Sequence, residues 1–310
     1  MRWRASLRLE QDARRVRERE KTMDYRGLSA GLRARVALEK HGFRPTHSLG
    51  QNFILDDKRI ASLLDAAEVG ETDNVLEIGP GPGVMTSALA ARCRRVLAVE
   101  IDRSLEGVLE EVLAPHENAD VVFQDVMKAD LSALTAASFG AEPFRVVANL
   151  PYYITTDVIL RLLGAGLPLT SVCAMVQKEA ADRIMAHPGE KQWCATAANV
   201  QYFGVPEILL EVPPEVFEPA PHVMSCFMRI DVYPERPVKP NDEALFLRLV
   251  SAAFAMRRKT LVNNLKSAFG LDAEAARQVL SAAGVDARIR GESLTLEELA
   301  RVADVLHEAR

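Results

Sequence analysis

Asn149-Leu150-Pro151-Tyr152 carries more chemistry in fewer residues than any other stretch of this chain. It follows an apolar run, Phe144 to Ala148, that reads as a strand. Asn149 offers an amide oxygen. Pro151 fixes the backbone so that the Leu150 carbonyl can point outward, and Tyr152 presents an aromatic face on which a base can stack. Two carboxylates stand at similar strand ends: Glu100 after Val96–Val99, and Asp125 after Val121–Phe123. Glu100 lies about 20 residues beyond the first glycines of a Gly-rich turn, where an acid is placed to accept hydrogen bonds from ribose hydroxyls. Asp125 can accept a bond from an adenine amino group. Each residue alone also reads as an ordinary solvated strand end or turn. Their common position, at strand C-termini, is what suggests a site.

The Gly-rich turn sets the register of these residues. Val75–Ile78 reads as a buried parallel strand, Gly79-Pro80-Gly81-Pro82-Gly83 as the turn, and Ser87–Ala91 as the opening of a helix. The dinucleotide fingerprint G-x-G-x-x-G would require its last glycine where Val84 stands, so that match fails. Strand, turn and helix still form a nucleoside-binding corner, with no pyrophosphate to seat on the helix. The pattern points to S-adenosylmethionine, with the glycines letting the ligand approach the backbone. A nicotinamide dehydrogenase fits the outline but not the spacing.

The remaining elements must hold this corner. A helix is expected over residues 29–43, then a loop His47–Leu55 with Gly50, Gln51 and Asn52, then a helix from Asp57 to Ala67. A helix Ser104–Leu113 and a strand Val172–Val176 follow, with a helix after Gln177. Val200–Phe203 and Ile208–Val212 read as a strand and its approach. Phe217–Val223 is a proline-stiffened loop, in which His222 has no second His or Cys nearby, and Ser225–Asp231 is the last strand. The proline-rich segment 233–240 reads as a linker. Beyond it the periodicity is helical: Glu243–Phe254, Thr260–Phe269, Asp272–Ala283 and Thr295–His307. Arg257-Arg258-Lys259 sits between the first two of these helices, a charge run that is either a solvated turn or a phosphate contact.

Composition bounds the function. The chain has 310 residues, 48% apolar and 26% charged, with net charge -5, so any nucleic-acid site must be a local basic patch. No apolar run reaches the ~18–20 residues that span a membrane. Cys93, Cys173, Cys194 and Cys226 are widely spaced, which argues against a zinc site or disulfide framework and fits a reducing cytoplasm. Residues 1–22 are rich in arginine, but Glu10, Asp12, Glu18 and Glu20 argue against a mitochondrial presequence. Residues 1–28 are expected to be a disordered extension, with Met23 as an alternative start.

Five segments, taken together, resemble one family. They are Leu49–Phe53, Glu77–Gly83, Asn149–Tyr153, Phe217–Val223 and Arg257–Leu265. The chain from about residue 30 onward is similar to the KsgA/RsmA-type ribosomal RNA adenine dimethyltransferases. The resemblance implies an α/β fold: a Rossmann-like seven-stranded methyltransferase sheet, its last strand antiparallel, with a small all-helical C-terminal domain. It implies a catalytic domain over 29–232, the linker 233–240 and an RNA-docking domain over 241–310. It implies S-adenosylmethionine held by Asn52, Ile54, Gly79, Gly81, Gly83, Glu100, Asp125 and Asn149, with catalysis by Asn149, Leu150, Pro151 and Tyr152. Phe217, His222, Arg257, Arg258 and Lys259 are the expected RNA contacts. Ile54 replaces the usual Leu or Val, and His222 a common Lys. The implied activity is dimethylation of N6 on two adjacent adenosines near the 3′ end of 16S rRNA in an immature small subunit, by a cytoplasmic monomer without metal. Two other readings stand beside it: a large-subunit rRNA methyltransferase of the macrolide-resistance type, and an assembly factor whose binding outweighs its chemistry.

Overall fold

A computed structural model describes residues 27–46 and 49–309. The expected extension over 1–28 and the alternative start at Met23 fall almost wholly outside the described residues. Helix α1 (Ala30–Lys40) starts at Ser29, whose side chain accepts from the Leu32 N–H. Helix α2 (Asp57–Ala66) starts at Asp56, which caps the Lys58 and Arg59 N–H groups. Then come β1 (Asn74–Ile78), α3 (Val84–Ala90), β2 (Arg95–Glu100), α4 (Glu106–Leu113), β3 (Ala119–Phe123), α5 (Leu131–Phe139), β4 (Phe144–Ala148), α6 (Thr155–Leu163) and β5 (Leu169–Gln177). After α7 (Lys178–Ile184) and α8 (Ala195–Phe203), β6 (Gly204–Val212) and β7 (Ser225–Val232) close the sheet.

The seven strands lie in the order β3-β2-β1-β4-β5-β7-β6. β1 to β5 pair in parallel, and β7 runs antiparallel to both β5 and β6. β1 is buried along its whole length, as a parallel strand covered on both faces must be. The order reverses between β1 and β4. In such sheets the crevice outside the strand C-termini opens at this reversal. β1 ends before Gly79, β2 at Glu100, β3 before Asp125 and β4 before Asn149, so the topology gathers the four expected groups at one mouth.

Two expectations need correction. Val200–Phe203 is the last turn of α8, not a strand. This helix is Ala-rich and buries Ala197, Ala198, Val200, Tyr202 and Phe203, so its apolar residues show no one-sided stripe. β6 begins immediately at Gly204. A Cβ there would lie 2.4 Å from Asp231 O, so only glycine lets the helix turn directly into the paired strand. The helix after the glycine turn starts at Val84, with left-handed Gly83 as its cap, rather than near Ser87.

Residues 233–240 contain no helix or strand. The chain then forms α9 (Glu243–Ala255), α10 (Leu261–Phe269), α11 (Ala273–Ala282) and α12 (Leu296–Glu308). These helices do not float free. One apolar cluster runs from Val146 and Val172 in the sheet through Trp193 and Tyr202 to Phe246, Leu265 and Leu299. Polar ties cross the same seam: Trp193 Nε1 donates to Leu294 O at 3.1 Å and Tyr202 OH to Glu243 Oε1 at 2.9 Å.

Candidate active site

A cleft lies at the reversal point, enclosing about 990 Å³ up to and including its open mouth. It is lined from the loop 49–54 on one side, the glycine turn below, and the ends of β2, β3 and β4. Gly79, Gly81 and Gly83 all have positive φ, at 69°, 55° and 81°. Their reasons differ. Gly79 faces open space beside Asn149 O. A Cβ on Gly81 would strike the Phe53 ring at 2.8 Å, and one on Gly83 would strike Leu109 at 2.9 Å. The glycines at 81 and 83 therefore answer to backbone shape and close packing as much as to a ligand. Gly83 caps α3 and, unlike Gly79 and Gly81, does not line the cleft.

Glu100 is buried, and it holds the floor together. Its Oε1 accepts the Ile101 and Asp102 N–H groups at 2.8 Å each, and Oε2 accepts the Gly81 N–H at 3.1 Å. Burial raises its pKa, against the pull of these three backbone donors. Oε2 keeps a lone pair for a further donor. Asp125 accepts the Met127 N–H and pairs with Lys128 at 3.2 Å, which holds its carboxyl below the usual range, the Met127 bond being the larger cause.

Asn149 donates from Nδ2 to the backbone carbonyl of Asn52, 2.9 Å away. A carbonyl can only accept, so this bond orients the amide and leaves Oδ1 as the free end. Neither Asn149 Oδ1 nor the Leu150 carbonyl accepts a hydrogen bond from any described residue. Pro151 O is occupied by Ile154 N and Thr155 Oγ1, which locks the turn. Tyr152 is half-buried, its hydroxyl 2.7 Å from Ser225 Oγ, and burial raises its pKa. Asn52, Ile54, Gly79, Gly81, Glu100, Asp125, Asn149, Leu150, Pro151 and Tyr152 all line the one cleft.

Three cleft residues carry weight that their sequence context did not reveal. Glu77 is 1% exposed, and burial pushes its carboxyl up to about 8. Thr86 stands beside it, yet neither Glu77 Oε2 nor Thr86 Oγ1 completes a hydrogen bond. Gln51 spans from Thr46 N to Asp102. Tyr153 is 62% exposed at the mouth and packs beside Gly50. Three carboxyl groups line the cleft, Glu77, Glu100 and Asp125, and no Lys, Arg or His does.

The expected RNA contacts scatter. Phe217 is 2% exposed and belongs to the same core cluster as Phe53 and Phe227, so its ring anchors a loop instead of facing RNA. Glu218 after it pairs both ways with the Phe53 backbone and takes a double contact from Arg35. His222 is exposed. Arg257 is committed to Lys191 O and lies 3.8 Å from Glu292, so it clasps the loop before α8. Arg258 and Lys259 are exposed beside it. Asn264, by contrast, is buried and ties α9 to α10 through Met256 N and Ala253 O.

Sheet order, glycine corner and acidic cleft define a Rossmann-like α/β methyltransferase fold. Residues 42–308 match the family described as ribosomal RNA adenine dimethylase. The chain is 45% identical over 269 residues to ribosomal RNA small subunit methyltransferase A of Alkaliphilus metalliredigens (strain QYMF), covering 86% of this chain and 94% of the relative. It is 42% identical over 281 residues to the protein of the same name from Lactiplantibacillus plantarum, covering 89% and 95%. The chain belongs to the ribosomal RNA adenine dimethylase family. Among solved structures, a dimethyladenosine transferase from Plasmodium falciparum shares the fold, with a TM-score of 0.67 at 20% identity over 80% of this chain and 94% of that one. The 23S rRNA methyltransferase ErmE superposes with a TM-score of 0.61 at 27% identity, over 83% and 100%.

Proposed function

We propose that this protein transfers methyl groups from S-adenosylmethionine to the N6 amines of two adjacent adenosines near the 3′ end of 16S rRNA, dimethylating each in an immature small subunit. The observation that carries the cofactor reading is the charge of the cleft. Glu77 keeps its proton, which leaves Glu100 and Asp125 as the carboxylates of the cleft; no Lys, Arg or His lines it, which disfavours a pyrophosphate and suits a ligand with a sulfonium and an ammonium. When bound, that ligand supplies an electrophilic methyl group. Glu100 Oε2 has the spare lone pair for a ribose hydroxyl, and in this reading Asp125, beyond the next strand, accepts from an adenine amine.

The acceptor amine is conjugated with its ring and is a weak nucleophile. Asn149 Oδ1 and the Leu150 carbonyl are two unfilled acceptors on adjacent residues. In the first transfer these accept both N6 hydrogens, and in the second one of them accepts the single hydrogen that is left, which draws the nitrogen lone pair out of conjugation and aims it across the cleft; after each transfer the cationic nitrogen loses a proton to solvent. Tyr152, fixed by Ser225, offers the stacking face, and its phenol stays neutral. The base must leave any stack to enter. Arg258 and Lys259, with the helical region 241–310, form the RNA-docking side of this reading.

The 42–45% identity to small-subunit enzymes, against 27% to a 23S enzyme, favours 16S over 23S RNA as substrate. The test is methyl transfer to small-subunit particles from a strain lacking this modification, mapped by primer extension, with 23S RNA as the competing arm. Asn149→Ala should retain cofactor binding within a few-fold and lower kcat by about 100-fold or more, the scale of losing a positioned acceptor. Stops absent from 16S RNA, or present only in 23S RNA, overturn the reading.

A further inference from the structure

Gln51 is a third member of the loop that crosses the cleft, and its side chain reaches away from the acceptor site. Its Nε2 donates to Asp102 Oδ2 at 2.8 Å, and its Oε1 accepts the Thr46 N–H at 2.8 Å. Both ends of the amide are therefore used, and its orientation is determined. Asp102 does not line the cleft. Its other oxygen is filled by Ser104 N and Ser104 Oγ, and its own N–H donates to Glu100 Oε1. The next residue after Gln51 is Asn52, whose carbonyl orients the Asn149 amide. One polar chain thus runs from the end of β2, through Asp102, Gln51 and the Asn52 carbonyl, to Asn149 at the end of β4.

We propose that Gln51 is a positioning residue for methyl transfer: its bond to Asp102 holds the Asn52 carbonyl where it keeps Asn149 Oδ1 turned toward the acceptor amine. The inference rests on the methyltransferase reading above for its kinetic arm only. Without the tie, the Asn52 carbonyl moves, and the Asn149 amide is free to present either end. The same tie joins the wall beside Glu100 to the acceptor side, so loosening it also weakens the ribose end of the cleft.

The chemistry of the pair makes a reciprocal test possible. Gln51→Glu places two carboxylates face to face and removes the donor. Asp102→Asn removes the charged acceptor. In the double variant the carboxylate introduced at position 51 can still accept from Thr46. The amide introduced at position 102 can donate to that carboxylate and keep accepting from Ser104. Each single variant should lower kcat by about tenfold to 100-fold, the range for a hydrogen bond to a charged partner. The double variant should return to within about threefold of wild type. Lowering the pH should partly rescue Gln51→Glu as its carboxyl protonates.

Hydrogen exchange read by mass spectrometry supplies an arm independent of methylation. Peptides covering 49–54 and 149–153 should exchange faster in each single variant and recover in the double, while peptides from β1 and β5 stay unchanged. Gln51→Met, which removes both bonds without repulsion, guards against a folding failure of Gln51→Glu and should give the same exchange pattern. Additive losses without recovery, or single variants with unchanged exchange and unchanged kcat, overturn the proposal. A wild-type protein that fails to bind S-adenosylmethionine but shows the reciprocal exchange pattern would overturn the methyltransferase reading and leave the tie standing.

Discussion

Replacing Glu77 with Gln should make the protein more stable in alkali while flattening its pH profile. Glu77 lies near the C-terminal end of β1, between β2 and β4, with 1% of its surface exposed. Burial raises its carboxyl from 4.5 to about 8, and the nearby Glu100 adds to this. Below the unfolded value both states hold the proton and the stability is fully present. As pH rises from 4.5 toward about 8 the unfolded chain releases its proton while the folded chain keeps it, so stability falls. Each pH step costs about 1.4 kcal/mol, or about 5 kcal/mol across the window as a ceiling. Gln preserves the shape and carries no titrating proton, so the loss disappears. Urea unfolding at pH 5.5, 7 and 8.5 for both proteins measures it, because titrations shared by the two cancel in the difference. The difference should grow toward high pH and level off above about 8. Parallel stability curves from pH 5.5 to 8.5 would refute the argument and mean that Glu77 is ionised in the fold.

Glu100→Ala should weaken S-adenosylmethionine binding by about 1–3 kcal/mol by calorimetry. It should also lower the melting temperature, because Gly81, Ile101 and Asp102 each lose the acceptor for a backbone N–H; unchanged affinity would remove the ribose role. In the basic turn, Arg258→Gln with Lys259→Gln should weaken binding to immature small subunits and make the log affinity against log salt slope shallower by about 1–2, at most one per phosphate contact. Arg257→Gln should instead lower thermal stability, since it loses Lys191 O and Glu292. A salt slope unchanged from wild type in the Arg258→Gln, Lys259→Gln variant would mean that the turn does not touch RNA.

Much of the site was legible because its signals are local. Apolar runs of four or five residues followed by Gly79, Glu100, Asp125 and Asn149 reveal parallel strands with polar groups at their C-terminal ends, and the failed G-x-G-x-x-G spacing separates this corner from a dinucleotide fold. The caps at Asp242, Asp272 and Thr295 likewise mark their helices within a residue or two. Misreadings fell where burial, not local pattern, decides the outcome. Val200–Phe203 is apolar on every side because α8 is wedged between the sheet and α9, and a short run buried all round looks alike in strand and helix. Phe217 resembled a recognition residue, but its ring belongs to the core.

What the sequence by itself determined is the inventory of acceptors, acids and turns, since strand ends and helix caps depend on neighbours a few residues away. The tertiary structure alone decided how they work together. Only there does the Asn52 carbonyl meet Asn149, 97 positions along, and fix which end of an amide faces the cleft. Only there does Glu77 lose its water and hold its proton, and exposed Arg257 become a clasp while the side chains of Arg258 and Lys259 have no partner among the described residues. Orientation, desolvation and pairing depend on groups brought close by packing, and no spacing along the chain encodes that proximity directly.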